Sequence, residues 1–208
     1  MKALGFLLAL GLVTSPGRII NFDSGTLGRM PSGWTAPAAA GGAARWEVMR
    51  DLSAPTQPYV LAQLSSYDSA NRFPLAILDG SNLRDGEVSV RLKPVSGTLE
   101  ESGGVVFRYR DANNYYVAET DARRREVALY RVENGQRFPI GAAVKHDLPP
   151  NAWRILKISV SGPHIQVYVD HRRILTAADN GYTGAGKVGL ATARDSVTYF
   201  DDFRVYPK

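Results

Sequence analysis

The sequence predicts an all-β protein, a two-sheet antiparallel β-sandwich, and three observations carry that prediction. Short runs alternate apolar and polar residues with the period of two that a strand shows when one face is buried. Asn, Asp, Gly and Pro separate those runs at short intervals. No stretch of about 12 residues combines helical apolar spacing with helix caps.

The first residues stand apart from that pattern. Residues 1–17 read as an export signal: Lys2 supplies a positive charge, residues 3–13 an apolar core, and Thr14, Ser15, Pro16 and Gly17 a site where a signal peptidase cuts. The apolar run falls short of the roughly 20 residues a membrane helix needs, and no later segment supplies them. Residues 18–208 then form a single β-sandwich domain, a size that one core accommodates. A periplasmic or extracellular location follows. Cys is absent, so neither a disulfide nor an acylated Cys is expected, and packing and backbone pairing must supply the stability.

The body begins with Ile19, Ile20 and Phe22, a first strand entering a tight turn at Asp23, Ser24 and Gly25. Residues 28–44 are dominated by Gly, Pro and Ala and predict an irregular loop pinned by Trp34. Trp46 and Val48 share one face of a strand over residues 45–50, and another strand is expected over 59–65. In residues 70–78, Pro74 suits a strand start or an edge better than a central ladder. Val88, Val90 and Leu92 then alternate with Glu87, Ser89, Arg91 and Lys93, one buried face and one polar.

Residues 103–131, "GGVVFRYRDANNYYVAETDARRREVALYR", predict a meander of three strands. Val105, Phe107 and Tyr109 alternate with Val106, Arg108 and Arg110; Tyr115, Val117 and Glu119 oppose Tyr116, Ala118 and Thr120. Asn134-Gly135 is a hairpin turn because both residues tolerate positive φ. Strands over 153–160 and 164–169 flank Ser161-Gly162-Pro163, residues 170–173 turn again, and a loop follows through "AADNGYTGAG". Residues 187–191 and 198–205 supply the last two strands. About a dozen such strands fit a jelly roll, since neither a propeller's repeats nor a TIM barrel's helices are present.

The net charge is +5, with Arg scattered among acids and only Arg123, Arg124 and Arg125 contiguous. Such a surface attracts acidic glycans or cell-surface polymers. No helix-turn-helix, zinc finger or RNA-binding signature accompanies it, so nucleic acid is not an expected partner. The sequence carries no signal of oligomeric state.

"GGVVFRYRDANNYYVAETD", "EVALYRVENGQ", "NAWRILKISVSGPHIQVYVD" and "GKVGLATARDSVTYFDDFRV" together resemble the concanavalin A-like lectin/glucanase superfamily. Within it the chain is similar to laminin-G-like carbohydrate-binding modules and bacterial 3-keto-disaccharide hydrolase-like domains. The resemblance implies a concanavalin A-like jelly roll and a glycan bound on the concave sheet face. It also implies structural calcium between the N-terminal turn and the final strand, at Asp23 and Asp201 or Asp202. No organic cofactor is expected.

A glycan site needs directional polar groups beside aromatic rings. Arg108, Arg110, Tyr116 and Tyr130 read as outward-facing candidates, with Arg91, Gln166 and Tyr168 extending the same surface. For catalysis, "ETDARRRE" matches only the first two acids of a laminarinase-like Glu-x-Asp-x-Glu run, with Arg123 where the third acid belongs. A keto-sugar-cleaving enzyme would instead use Glu119, Glu126 or His146 as a base and Arg108 or Arg110 against developing oxygen charge. The expectation is thus an exported carbohydrate-recognition domain, with a glycoside hydrolase-like or keto-sugar-cleaving enzyme and a cell-envelope adhesion module as alternatives.

Overall fold

The computed structural model describes residues 17–38, 44–67, 69 and 71–208. The expected export signal, apart from Gly17, lies outside the described residues. In chain order the strands are β1 (Arg18–Ile20), β2 (Trp34–Thr35), β3 (Trp46–Arg50), β4 (Tyr59–Gln63), β5 (Leu75–Leu78), β6 (Gly86–Ser96), β7 (Ser102–Asp111) and β8 (Asn114–Asp121). They continue with β9 (Glu126–Glu133), β10 (Gln136–Pro139), β11 (Val144–Lys145), β12 (Arg154–Ser161), β13 (His164–Val169), β14 (Arg172–Ala178), β15 (Lys187–Ala191) and β16 (Val197–Pro207). Among the described residues there is no α-helix, and none long and apolar enough to cross a membrane.

These strands form two antiparallel sheets. The first runs β14-β13-β12-β6-β16-β4-β3, with β1 also on β16; the second runs β10-β9-β8-β7-β15-β5-β2, with β11 also on β9. Pro74 stands directly before β5, as the missing N–H requires. The Asn134-Gly135 turn is as expected: Glu133 faces Gln136 across it, and φ is 51° and 77° at the two central residues.

Residues 172–178 correct the expectation of a turn followed by a loop. Asp170 and His171 make a tight turn of their own, with φ of 46° and 67°, and Val169 faces Arg172 across it. The chain returns as β14 because Leu175 is buried there and the backbone completes a ladder with β13. No Asn-Gly marks this turn, so its sequence signal is weak.

The main core lies between the sheets. Val88, Val90 and Leu92 of β6, Leu156, Ile158 and Val160 of β12, and Phe200 and Phe203 of β16 meet Val105, Phe107, Ala118, Leu129 and Leu190 from the second sheet. A bulge between Asp201 and Arg204 lets both phenylalanines face inward, with Asp202 at φ 49° absorbing the extra residue. The second sheet buries its other face as well. Leu75, Ile77, Val106, Tyr115, Val117, Val132 and Ala191 form a separate apolar cluster there, with Tyr109 and Tyr130 at its margin.

Candidate functional site

Two hairpin turns of the second sheet are tied side by side. In the β7–β8 turn, Asp111 Oδ1 accepts from the Asn113 backbone N–H at 2.8 Å and from Asn114 Nδ2 at 2.9 Å. The Gly135 N–H donates to the Asn113 carbonyl at 3.0 Å, and the Asn134 N–H to Asn114 Oδ1 at 3.2 Å. With the segment leading into β5, these turns enclose an open cleft of about 590 Å³ lined by Asn71, Phe73, Asn113, Asn134, Gln136 and Arg137. The four amide-bearing residues are exposed, and no hydrogen bond among the described residues engages the side chains of Asn113, Asn134 or Gln136.

Arg137 joins this cleft to the buried outer face. Its guanidinium stacks between Phe73 and Tyr130, 4.4 and 4.2 Å from the two ring centroids, and donates to Glu119. The two side chains of that ion pair are 15% and 7% exposed. Burial opposes the positive charge of Arg137, but the charge of Glu119 and its hydrogen bond outweigh it and push the guanidinium up. The Arg137 Nε remains buried without a hydrogen-bond partner.

Behind this pair sits a second group of charges. Glu100 accepts from Arg124 at 2.6 Å, and the same guanidinium lies 3.6 Å from Asp121 and 3.9 Å from Glu126. Burial first, then the charge of Glu119, pushes the Glu100 carboxyl up to about 7 despite the opposing Arg124. Asp121 Oδ1 caps the following turn by accepting the N–H groups of Arg123 and Arg124 at 2.8 and 3.0 Å. Arg123, where the third acid of a glucanase run would stand, therefore lies within a turn rather than extending the strand.

The structure disperses the residues singled out in the sequence. Glu119 and Tyr130 belong to the Arg137 cluster. Glu126 lies on the same sheet face beside Asp121 but pairs with Lys145 at 3.2 Å, and His146 lines a different hollow with Arg125, Lys145 and Asp147. Arg108 and Tyr116, expected to face outward, are buried. Arg108 donates to the carbonyls of Arg84, Tyr182 and Gly162, and Tyr116 stacks on Phe107 with a centroid separation of 5.2 Å. A bulge after Phe107 and a φ of 48° at Arg108 turn that side chain inward, which strict alternation does not anticipate. Arg110 is exposed over the Tyr182 ring at 4.3 Å.

Arg91, Gln166 and Tyr168 do not extend this surface. They lie on β6 and β13, on the outer face of the first sheet.

The candidate calcium residues divide as well. Asp23 accepts from the Tyr59 N–H at 3.0 Å, and Asp201 accepts from the Thr56 N–H at 2.8 Å. Burial, with the charges of Asp202 and Asp23 adding to it, pushes the Asp201 carboxyl up to about 6 against its two backbone hydrogen bonds. A hard cation would relieve that state, so Asp23 and Asp201 fit one if backbone carbonyls complete the shell. Asp202 fits less well, because Arg91 and Arg204 already hold it at 3.2 and 3.3 Å. Among the described residues, no group of three or more His, Asp or Glu side chains gathers as a metal cage.

Sequence reasoning missed Asn71, Phe73, Asn113, Gln136, Arg137 and Glu100. The available signal was the crowding of amides at two neighbouring turns, where Asn113 and Asn134 had an adequate explanation as turn formers.

No family model matches the chain. Over 120 residues, 57% of this chain, it is 28% identical to a levanase of Bacillus subtilis (strain 168), and the match spans 17% of that protein's length. Carbohydrate binding module CBM66 from Bacillus subtilis aligns with a TM-score of 0.64 and 24% identity, over 83% of this chain and 95% of that one. A β-glucanase of Bacillus licheniformis aligns at 0.63 with 12% identity, over 93% and 99% of the two chains. By its two sheets and by these likenesses, the chain has a concanavalin A-like jelly-roll fold.

Proposed function

We propose that this chain is an exported carbohydrate-recognition domain that binds a glycan in the cleft between the two hairpin turns. One observation carries the reading: unengaged amides of Asn113, Asn134 and Gln136 converge with the Phe73 ring and the Arg137 guanidinium around about 590 Å³ of open space. Side-chain amides pair with vicinal hydroxyls as donor and acceptor together, and an aromatic ring offers a surface for sugar C–H groups. The names of the similar proteins, a carbohydrate binding module and a levanase, support the same class of ligand. Calorimetric titration with neutral oligosaccharides, a levan among them, tests it. At least one glycan should bind, and Phe73→Ala or Gln136→Ala should each weaken it by about tenfold, the loss of one stacked ring or hydrogen-bond set. No binding across the panel, or binding indifferent to both substitutions, rejects the cleft.

A catalytic reading has one observation in its favour, the Glu100 carboxyl held near neutrality beside Glu119. Turnover of a keto-sugar or glycan that vanishes in Glu119→Gln and Glu100→Gln would establish it. The two carboxyls stand beneath Arg124 and Arg137, so recognition is the better-supported role.

Calcium belongs to the same proposal, held by Asp23 and Asp201 with backbone carbonyls. Calcium should raise the melting temperature and a chelator should reverse the gain, with no such response in Asp201→Asn. An unchanged melting temperature in the parent protein removes calcium from the reading.

A further inference from the structure

The outer face of the first sheet carries a second hollow, of about 150 Å³, lined by Ser89, Arg91, Lys157, His171, Asp202 and Arg204. Strand register builds it. Tyr168, Lys157, Ser89 and Arg204 stand directly opposite one another across β13, β12, β6 and β16. At about 4.8 Å per strand, that row spans roughly 14 Å. Ser89, the smallest side chain in the row, sits between Lys157 and Arg204 and leaves the floor low there. Arg91 enters from the next outward position on β6, opposite Ile155.

The charges of this hollow do not balance. Arg91 Nε and an Arg204 terminal nitrogen share one oxygen of Asp202, at 3.2 and 3.3 Å, while the other oxygen accepts the Thr56 hydroxyl at 2.8 Å. One carboxylate thus faces two guanidiniums whose side chains remain 39% and 38% exposed. Lys157 pairs with Glu87 at 3.2 Å and lies 4.5 Å from the centroid of the Tyr168 ring. The exposed basic hollow beside His146 differs, since Arg124, Arg125 and Lys145 each have an acid of their own, Glu100, Asp147 and Glu126.

We infer that this hollow is a binding site for an acidic polysaccharide, with Arg91, Arg204 and Lys157 receiving a carboxylate or sulfate group. The spare N–H groups of two adjacent guanidiniums suit a planar or tetrahedral oxyanion. Around them, Ser89 and the hydrogen-bonded pair Gln166 and Tyr168 offer hydroxyl and amide partners for the attached sugar. A nucleic-acid footprint asks for an unbroken tract of cations, and here Asp202 and Glu87 interrupt it. The site is separate from the hairpin-turn cleft and does not depend on it.

Affinity electrophoresis of the full chain through polygalacturonate, dextran sulfate, neutral dextran and duplex DNA tests the inference. Retention by polygalacturonate or dextran sulfate, lost at high salt and absent in neutral dextran, is expected; whichever polymer retains the protein identifies the anionic group. Arg91→Gln with Arg204→Gln should weaken that retention about tenfold or more, the scale of a lost charge-assisted hydrogen-bond pair. Because this double variant strands Asp202, Ser89→Glu provides a second variant that leaves both guanidiniums in place and should abolish retention. Arg125→Gln with Lys145→Gln should leave retention at the parental level. Equal loss in that control, retention indifferent to Ser89→Glu, equal retention by duplex DNA, or no retention by either acidic polymer overturns the site. Neutral-glycan binding reports on the other cleft and is scored separately, so failure of one assignment is distinguishable from failure of the other.

Discussion

The outward faces of the two sheets arise from the same alternating strands, yet they solve opposite problems. On the first sheet, Arg91, Lys157, Tyr168 and Arg204 present long polar side chains to water over a single buried inner face. On the second, Val106, Tyr115, Val117 and Val132 are buried on the outside too, and the charges among them, Glu119, Glu100 and Arg137, are withdrawn from solvent. Exposed ions are screened and cost little to rearrange, whereas withdrawn ions must be paired in place. The first face is therefore suited to capturing a charge from solution. The second is suited to holding a rigid wall beside a cleft.

Truncating a cation on each face is the sharpest way to break that contrast. Arg137→Ala strands Glu119 and removes the group stacked between Phe73 and Tyr130, and should cost about 3 kcal/mol of unfolding free energy in urea titrations. A cost below about 1 kcal/mol would mean that the second face is as solvated as the first.

Stability against pH offers an intermediate effect. Glu100 is held at about 7 against an ordinary 4.5, so the folded protein binds this proton more tightly than the unfolded chain does. Its stabilising contribution is complete below the ordinary value and is lost as pH rises through about 7. Glu100→Gln should flatten that part of the unfolding profile, measured on both sides of pH 7. A slope that persists in this variant assigns the titration elsewhere.

The smallest effect belongs to the first face. Lys157→Ala removes an ion pair whose members are 28% and 33% exposed, and should change stability by no more than about 0.5 kcal/mol by the same titration. A larger loss would show that this surface, too, holds the fold together.

The sequence made several elements legible and some only in part. β6, β8, β12 and β13 follow from their alternation, and the β9–β10 turn follows from Asn134-Gly135. The strand β14 was hidden because Asp170-His171 adopts positive φ without the residues that advertise it. Arg108 was misplaced by one face because a bulge, invisible to a period of two, intervenes after Phe107.

The division between sequence and tertiary structure follows from the range of each interaction. Local alternation by itself determines that the chain is built of strands, that Val88, Val90 and Leu92 share one face of theirs, and, with helices unsignalled, that the architecture is a sandwich; within an unbulged strand a residue's side depends only on neighbours along the chain. Which strands become neighbours depends on contacts between distant segments, and the tertiary structure alone sent β6 and β13 to one sheet and β8 and β9 to the other. That choice separated Arg91, Gln166 and Tyr168 from Glu119 and Tyr130, and brought Phe73, Asn113, Gln136 and Arg137 around one cleft. A surface site is an accident of register as much as of composition, and register is set by the burial of whole strands across the molecule.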